Sequence, residues 1–179
     1  MKWRLLFVAA ILAVLAWLGV RWTQTRRAAV APAAVVDTAG AGVRAVQLYF
    51  ASPGGDSLVG EPRELAEPAT LRERVAALVR ELDRGPAHGG VAVLPAGTSV
   101  RFAYLDPDGL LTVDLSRSFV QEFQGGADAE YLAVASLVRT FAANLAGVKR
   151  VLLVCGGEPI ATLGGHVPLD RPLEVSDFP

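Results

Sequence analysis

Few residues in this chain have the chemistry of a nucleophile, base or ligand: Cys155, His88 and His166, the carboxylates Asp106, Asp108 and Glu158, the guanidinium of Arg63, and the pair Gly156-Gly157. A cysteine beside a histidine would supply an activated thiolate. Cys155, however, closes the apolar run Val151-Leu152-Leu153-Val154, where a thiol behaves as an inert small hydrophobe, and nothing in the chain fixes either histidine near it. Gly156-Gly157 follows an apolar run as a phosphate loop would, but the GxGxxG spacing is missing and Pro159 stands where a helix should begin. Asp106 and Asp108 bracket Pro107 as turn residues, and the two histidines and scattered carboxylates show no zinc-ligand spacing. No catalytic set, metal or cofactor is therefore expected. Arg63 and Glu158 each flank a predicted strand and are expected to be half buried and paired, an ion pair being favoured over a ligand contact.

The best-punctuated element is a helix over Thr70 to Arg84. Thr70 and Glu73 form a capping box at its start. Leu71, Val75, Leu78, Val79 and Leu82 recur at helical spacing on one face, with Arg72, Arg74, Arg80, Glu81 and Asp83 elsewhere. Gly85 can close the helix in a left-handed conformation and Pro86 cannot continue it. The loop from Gly85 to Leu94 is either a partner surface or a connector.

Before this helix, Val46, Leu48 and Phe50 alternate with Gln47 and Tyr49 as in a strand with one buried face. Turn residues from Ser52 to Ser57 lead to a second extended piece, Leu58 to Glu67, whose Pro62 suits an edge. After the helix, Ser99 to Leu105 and Leu110 to Leu115 flank Asp106-Pro107-Asp108-Gly109, the clearest hairpin signal in the chain. Phe119 and Phe123 lie in a connection expected to pack on the core. A second helix, from Asp128 to about Ala146, is apolar over most of its circumference and should cover a sheet. Val151 to Cys155 shows no alternation and reads as a central strand buried on both faces. The expected fold class is α+β, a small mixed sheet of about five strands covered by two helices.

The net charge of −1 conceals a division: residues 1 to 42 carry +4, and the remainder holds 12 basic and 17 acidic side chains. A mildly acidic folded part excludes a nucleic-acid partner, which would require a basic patch. The high mean hydropathy of +0.38 has its source in the uninterrupted apolar run Leu5 to Val20, flanked by Lys2, Trp3 and Arg4 and by Arg21 and Trp22. It is a little short of the roughly 20 residues of a usual span, but flanking Arg can snorkel and Trp suits the interfaces. Ala29-Val30-Ala31, a small-x-small cleavage pattern, lies well past the run and precedes Pro32, so an uncleaved anchor is favoured over a signal peptide. The organisation expected is a transmembrane signal-anchor over residues 1–22, an Ala/Pro/Gly-rich tether over 23–43, and one domain over 44–179. The N-terminus is placed in the cytoplasm and the domain outside it, although basic residues at both ends of the run leave the positive-inside rule undecided.

Several stretches in order carry a resemblance: Val46-Gln47-Leu48-Tyr49-Phe50; Leu58 with Glu61 and Arg63; Leu82 with Gly85-Pro86; Leu94-Pro95 with Gly97-Thr98; Val113-Asp114-Leu115-Ser116; Thr140; and Val151 to Gly157-Glu158. Over most of Arg44 to Pro172 the chain resembles the GerMN domain of sporulation and spore germination proteins. The resemblance implies a ring-building-motif-like α+β module, exported and tethered, that acts in envelope processes without catalysing a reaction. Its motifs make Arg63, Gly85, Pro86, Leu94, Pro95, Gly157 and Glu158 the candidate interaction residues. The partners expected are envelope proteins and a second copy of the chain, with the membrane engaged through Leu5 to Val20. The competing reading is a binding module for cell-wall glycan or a small ligand that uses the charges near Arg63 and Glu158.

Overall fold

The computed structural model describes residues 42–178, so the expected anchor and tether at the N-terminus lie outside the described residues. Among the described residues, no helix is long and apolar enough to cross a membrane. The chain runs β1 (Val43–Ala51), β2 (Leu58–Ala66), α1 (Leu71–Arg84), β3 (Val100–Leu105), β4 (Leu110–Leu115), the single turn α2 (Ser118–Gln121), α3 (Ala127–Asn144), β5 (Arg150–Cys155), β6 (Glu158–Pro159), β7 (Leu173–Glu174) and a closing 3-10 turn (Val175–Asp177).

The architecture is α+β with a mixed five-stranded sheet, and its membership differs from the expected one. β1 and β2 pair antiparallel in a sheet of their own. The five-stranded sheet is β3-β4-β5 with β6 and β7 side by side on the outer edge of β5. These two short strands supply the count that sequence reading assigned to the first hairpin. β4 and β5 are parallel, with Leu111 opposite Val151 and Val113 opposite Leu153. Parallel neighbours need a long crossover, here α2 and α3.

The local signals behave as their chemistry requires. Thr70 Oγ1 accepts from the Glu73 N–H and Glu73 answers through the Thr70 N–H, which closes the capping box of α1. Gly85 ends α1 at φ 88°, donating its N–H to the Leu82 carbonyl. Asp106 Oδ1 accepts from the Asp108 and Leu110 N–H groups and so locks the β3–β4 turn.

One core unites the two sheets and the helices. Leu48 and Phe50 of β1, Val75, Val79 and Leu82 of α1, Leu111, Val113 and Leu115 of β4, Leu137, Val138 and Phe141 of α3, and Val151 and Leu153 of β5 are all buried in it. Phe119 is fully buried and Phe123 packs against the same cluster, as expected of their connection. β5 departs from expectation: Val151 and Leu153 are buried, but Leu152 and Val154 are only half buried. The helices pack on the other side of the sheet, which leaves the Leu152–Val154 face uncovered.

Candidate interaction surface

Arg63 is the hub of the first half of the molecule. It stands on β2 with its side chain 14% exposed, and its partners come from three segments. Nε and Nη2 reach Glu61 Oε1 at 2.8 and 2.7 Å. Nη1 donates to Glu81 Oε2 at 2.9 Å, and Nη2 donates to the Gly85 carbonyl at 2.6 Å. The guanidinium also lies 5.4 Å from the Phe50 ring centroid. A planar fork can serve two carboxylates and a helix-end carbonyl at once, which an ammonium cannot. Burial by itself raises the Glu61 carboxyl, but Arg63 and the N–H groups of Ala87 and His88 outweigh it and hold Glu61 below the usual carboxylate value. Arg63 and Glu158 were each expected to be half buried and paired; Arg63 is, and Glu158 is not. Arg63 is bound to Glu61 and Glu81, and Glu158 is exposed on β6 in the other sheet.

The loop after Gly85 is held from two sides. Both Glu61 oxygens accept from Ala87, and Oε2 accepts from His88. Val91 then makes a two-bond bridge to Ala51 at the end of β1. Leu94 and Pro95 are buried, and the Pro95 carbonyl accepts from the Thr98 hydroxyl at 2.6 Å. Of the candidate residues on this stretch, Gly85, Leu94 and Pro95 serve packing and chain direction, while Pro86 is half exposed. Between Val91–Pro95 and the start of α3 lies a cleft of about 630 Å³, rimmed by Glu122 and Asp128.

The outer edge of β1 would present unpaired backbone groups, and α3 supplies side chains to them. Asn144 accepts from the Gln47 N–H at 2.9 Å and donates to the Gln47 carbonyl at 2.7 Å. Thr140 accepts from the Tyr49 N–H, and Ser136 donates to the Tyr49 carbonyl at 2.6 Å. Ser136, Thr140 and Asn144 recur at four-residue spacing, so one helical stripe satisfies one strand edge. That stripe of polar residues in an otherwise apolar helix is legible in the sequence, although the motifs that carry the resemblance include only Thr140.

Glu130, also on α3, is a fully buried carboxylate that sequence reading missed. The chain after β6 wraps it. Leu163 N–H donates to Oε1 at 2.8 Å, His166 N–H donates to Oε2 at 2.9 Å, and His166 Nδ1 lies 3.0 Å from Oε2. Burial pushes this carboxyl up, but the N–H groups of Gly164, Leu163, Val167 and His166 pull it down to about 2.

The family model for sporulation and spore germination proteins, Germane, matches residues 47–161, from within β1 to just past β6. The chain belongs to the sporulation and spore germination family. Two solved structures from Bacillus subtilis are similar to it: the tandem GerMN domains of the sporulation protein GerM, at TM-score 0.60 and 21% identity over 75% of this chain and 47% of that chain, and the first GerMN domain alone, at TM-score 0.58 and 21% identity over 75% of this chain and 99% of that chain. A putative lipoprotein from Clostridium perfringens matches at TM-score 0.54 and 18% identity, over 77% of this chain and 91% of that chain. The chain thus spans about half the length of the tandem protein and nearly all of a single GerMN domain. No curated protein sequence matches it.

The family match stops before Leu163, so the partners that enclose Glu130 lie beyond the matched stretch. Gly157 turns at φ 87° and donates its N–H to Asp114 Oδ1 at 3.0 Å, while Arg101 pairs with the other Asp114 oxygen. Cys155 Sγ lies 3.3 Å from the Ser116 carbonyl, and burial, reinforced by Asp114, pushes its thiol up, away from the reactive thiolate. His166 is engaged with Glu130, and the His88 backbone is held by Glu61. Among the described residues, no group of three or more metal-ligating side chains comes together.

Proposed function

We propose that this member of the sporulation and spore germination family is a non-catalytic, membrane-anchored module that works through protein contacts on the outer side of the cytoplasmic membrane. The observation that carries this reading is the way the charged groups with most partners are used: Arg63, Glu61, Glu81 and Glu130 direct their donors and acceptors at the protein's own backbone and side chains. The similar structures add support, since one is of a sporulation protein and another of a putative lipoprotein. The anchor over Leu5 to Val20 and a cytoplasmic N-terminus belong to the same proposal.

Two experiments test it. Crosslinking in intact cells followed by capture of the chain from envelope extracts should recover a protein partner or a second copy; recovery of the chain alone and uncrosslinked would overturn the contact role. Protease added to intact spheroplasts should digest the domain, and full protection would overturn export. Titration with cell-wall fragments measures the competing glycan role. Arg63→Ala is no reporter there, because removing Arg63 unties α1 from β2.

A further inference from the structure

We infer that β3 is a docking edge for a second copy of this chain, added antiparallel about a twofold axis at Ala103. This deepens the proposed contact role by naming one partner.

The argument begins with the sheet edges. β1 is covered along Gln47 and Tyr49 by α3 and at Ala51 by Val91. On the outer edge of β2, Pro62 removes the central N–H, the usual protection of an edge strand. β5 is covered by β6 and β7. β3 is neither covered nor interrupted by proline, and its one irregularity is a bulge between Val100 and Phe102. Phe102 and Tyr104 face Asp114 and Thr112 of β4, and the Asp106 N–H bonds to the Leu110 carbonyl. Inward bonding alternates along an antiparallel ladder, so Ala103 and Leu105 direct their backbone groups away from β4. These groups have no hydrogen-bond partner among the described residues.

The strand is also complementary to itself. With the axis at Ala103, the outward backbone groups of Ala103 meet those of the second copy, and the small buried side chain permits the approach on the helix side. Phe102 of each copy then lies directly opposite Tyr104 of the other, on the uncovered face and at the positions where cross-strand side chains come closest. These rings are 53% and 54% exposed, and Leu152 and Val154 extend the same face. Charge agrees. Beside this edge, a cleft of about 410 Å³ is lined by Arg72, Glu73, Ala76, Arg80 and Asp83 of α1 together with Val100. Among the described residues Arg80 has no ion pair, and Arg72 acts only on Glu73 of its own helix.

The test is sedimentation of the purified full chain in density-matched detergent, from micromolar to near-millimolar concentration, with amide exchange read on the same samples. The mass should rise from 18.8 kDa toward twice that value, and the Ala103 and Leu105 amides should gain protection as it does. Ala103→Pro removes only an outward N–H and leaves the β3–β4 ladder intact; it should weaken association about tenfold or more. Tyr104→Lys, at an exposed site, should do the same with unchanged circular dichroism, and decides the matter if Ala103→Pro fails to fold. A chain that stays monomeric throughout, or a dimer unaffected by Tyr104→Lys, overturns the inference. Capture of a different envelope protein would still stand as support for the contact role.

Discussion

Glu130 offers the sharpest numerical test of the structure. Its carboxyl sits at about 2 in the folded protein against an ordinary value of 4.5. At about 1.4 kcal/mol per unit, that difference contributes about 3 kcal/mol of stability. Because the folded value is the depressed one, the contribution is complete above pH 4.5 and is lost as pH falls toward 2. Glu130→Gln keeps the shape but replaces one acceptor oxygen with an amide that faces N–H donors. At pH 7 the variant should be less stable by about 3 kcal/mol, or about 10 °C in Tm for a domain of this size. Urea unfolding of both proteins from pH 7 to pH 2 should show the gap narrowing across the acid range, as the native carboxyl itself becomes protonated. A pH 7 difference below about 1 kcal/mol, or a gap that stays constant down to pH 2, would refute the account of Glu130 as a charged anchor for the 163–167 loop. His166→Ala should cost far less, since the His166 backbone N–H still donates to Glu130.

Other substitutions probe the remaining clusters. Arg63→Met should destabilise by about 3 kcal/mol in denaturant titration, because it removes the cation shared by two buried carboxylates, leaving Glu81 with Arg84 alone and Glu61 with the N–H groups of Ala87 and His88. Arg63→Lys should rescue only part of that loss, since one ammonium cannot reach both carboxylates and the Gly85 carbonyl. Asn144→Ala should cost about 2 kcal/mol and speed amide exchange at Gln47, with exchange in β4 unchanged. Gly85→Ala should cost about 1–3 kcal/mol in thermal unfolding, because φ 88° with ψ 176° is a conformation open essentially to glycine alone.

What was legible in the sequence depended on local physics. The capping box of Thr70 and Glu73, the Gly85 stop, the Asp106–Gly109 turn and the alternation in β1 and β4 each act within a few residues, so their outcome was already set in the chain. The ordered motifs from Gln47 to Ala161 place it in its family for the same reason. Pairing across distance was another matter. Arg63 reads from the sequence as a half-buried, paired charge, but its partners Glu61, Glu81 and Gly85 are set by how α1 lies on β2, and Glu158, read the same way, is exposed. β5 looks like a strand buried on both faces because Val151 to Cys155 is uniformly apolar, yet periodicity records only what a residue tolerates, not whether a helix covers it. Tertiary structure decided that the first hairpin forms a sheet of its own, that a stripe of α3 closes its edge, and that Glu130 is enclosed by a loop more than thirty residues later. In each case a buried polar group had to find a partner, and only the folded arrangement of segments far apart in the chain determined which one was within reach.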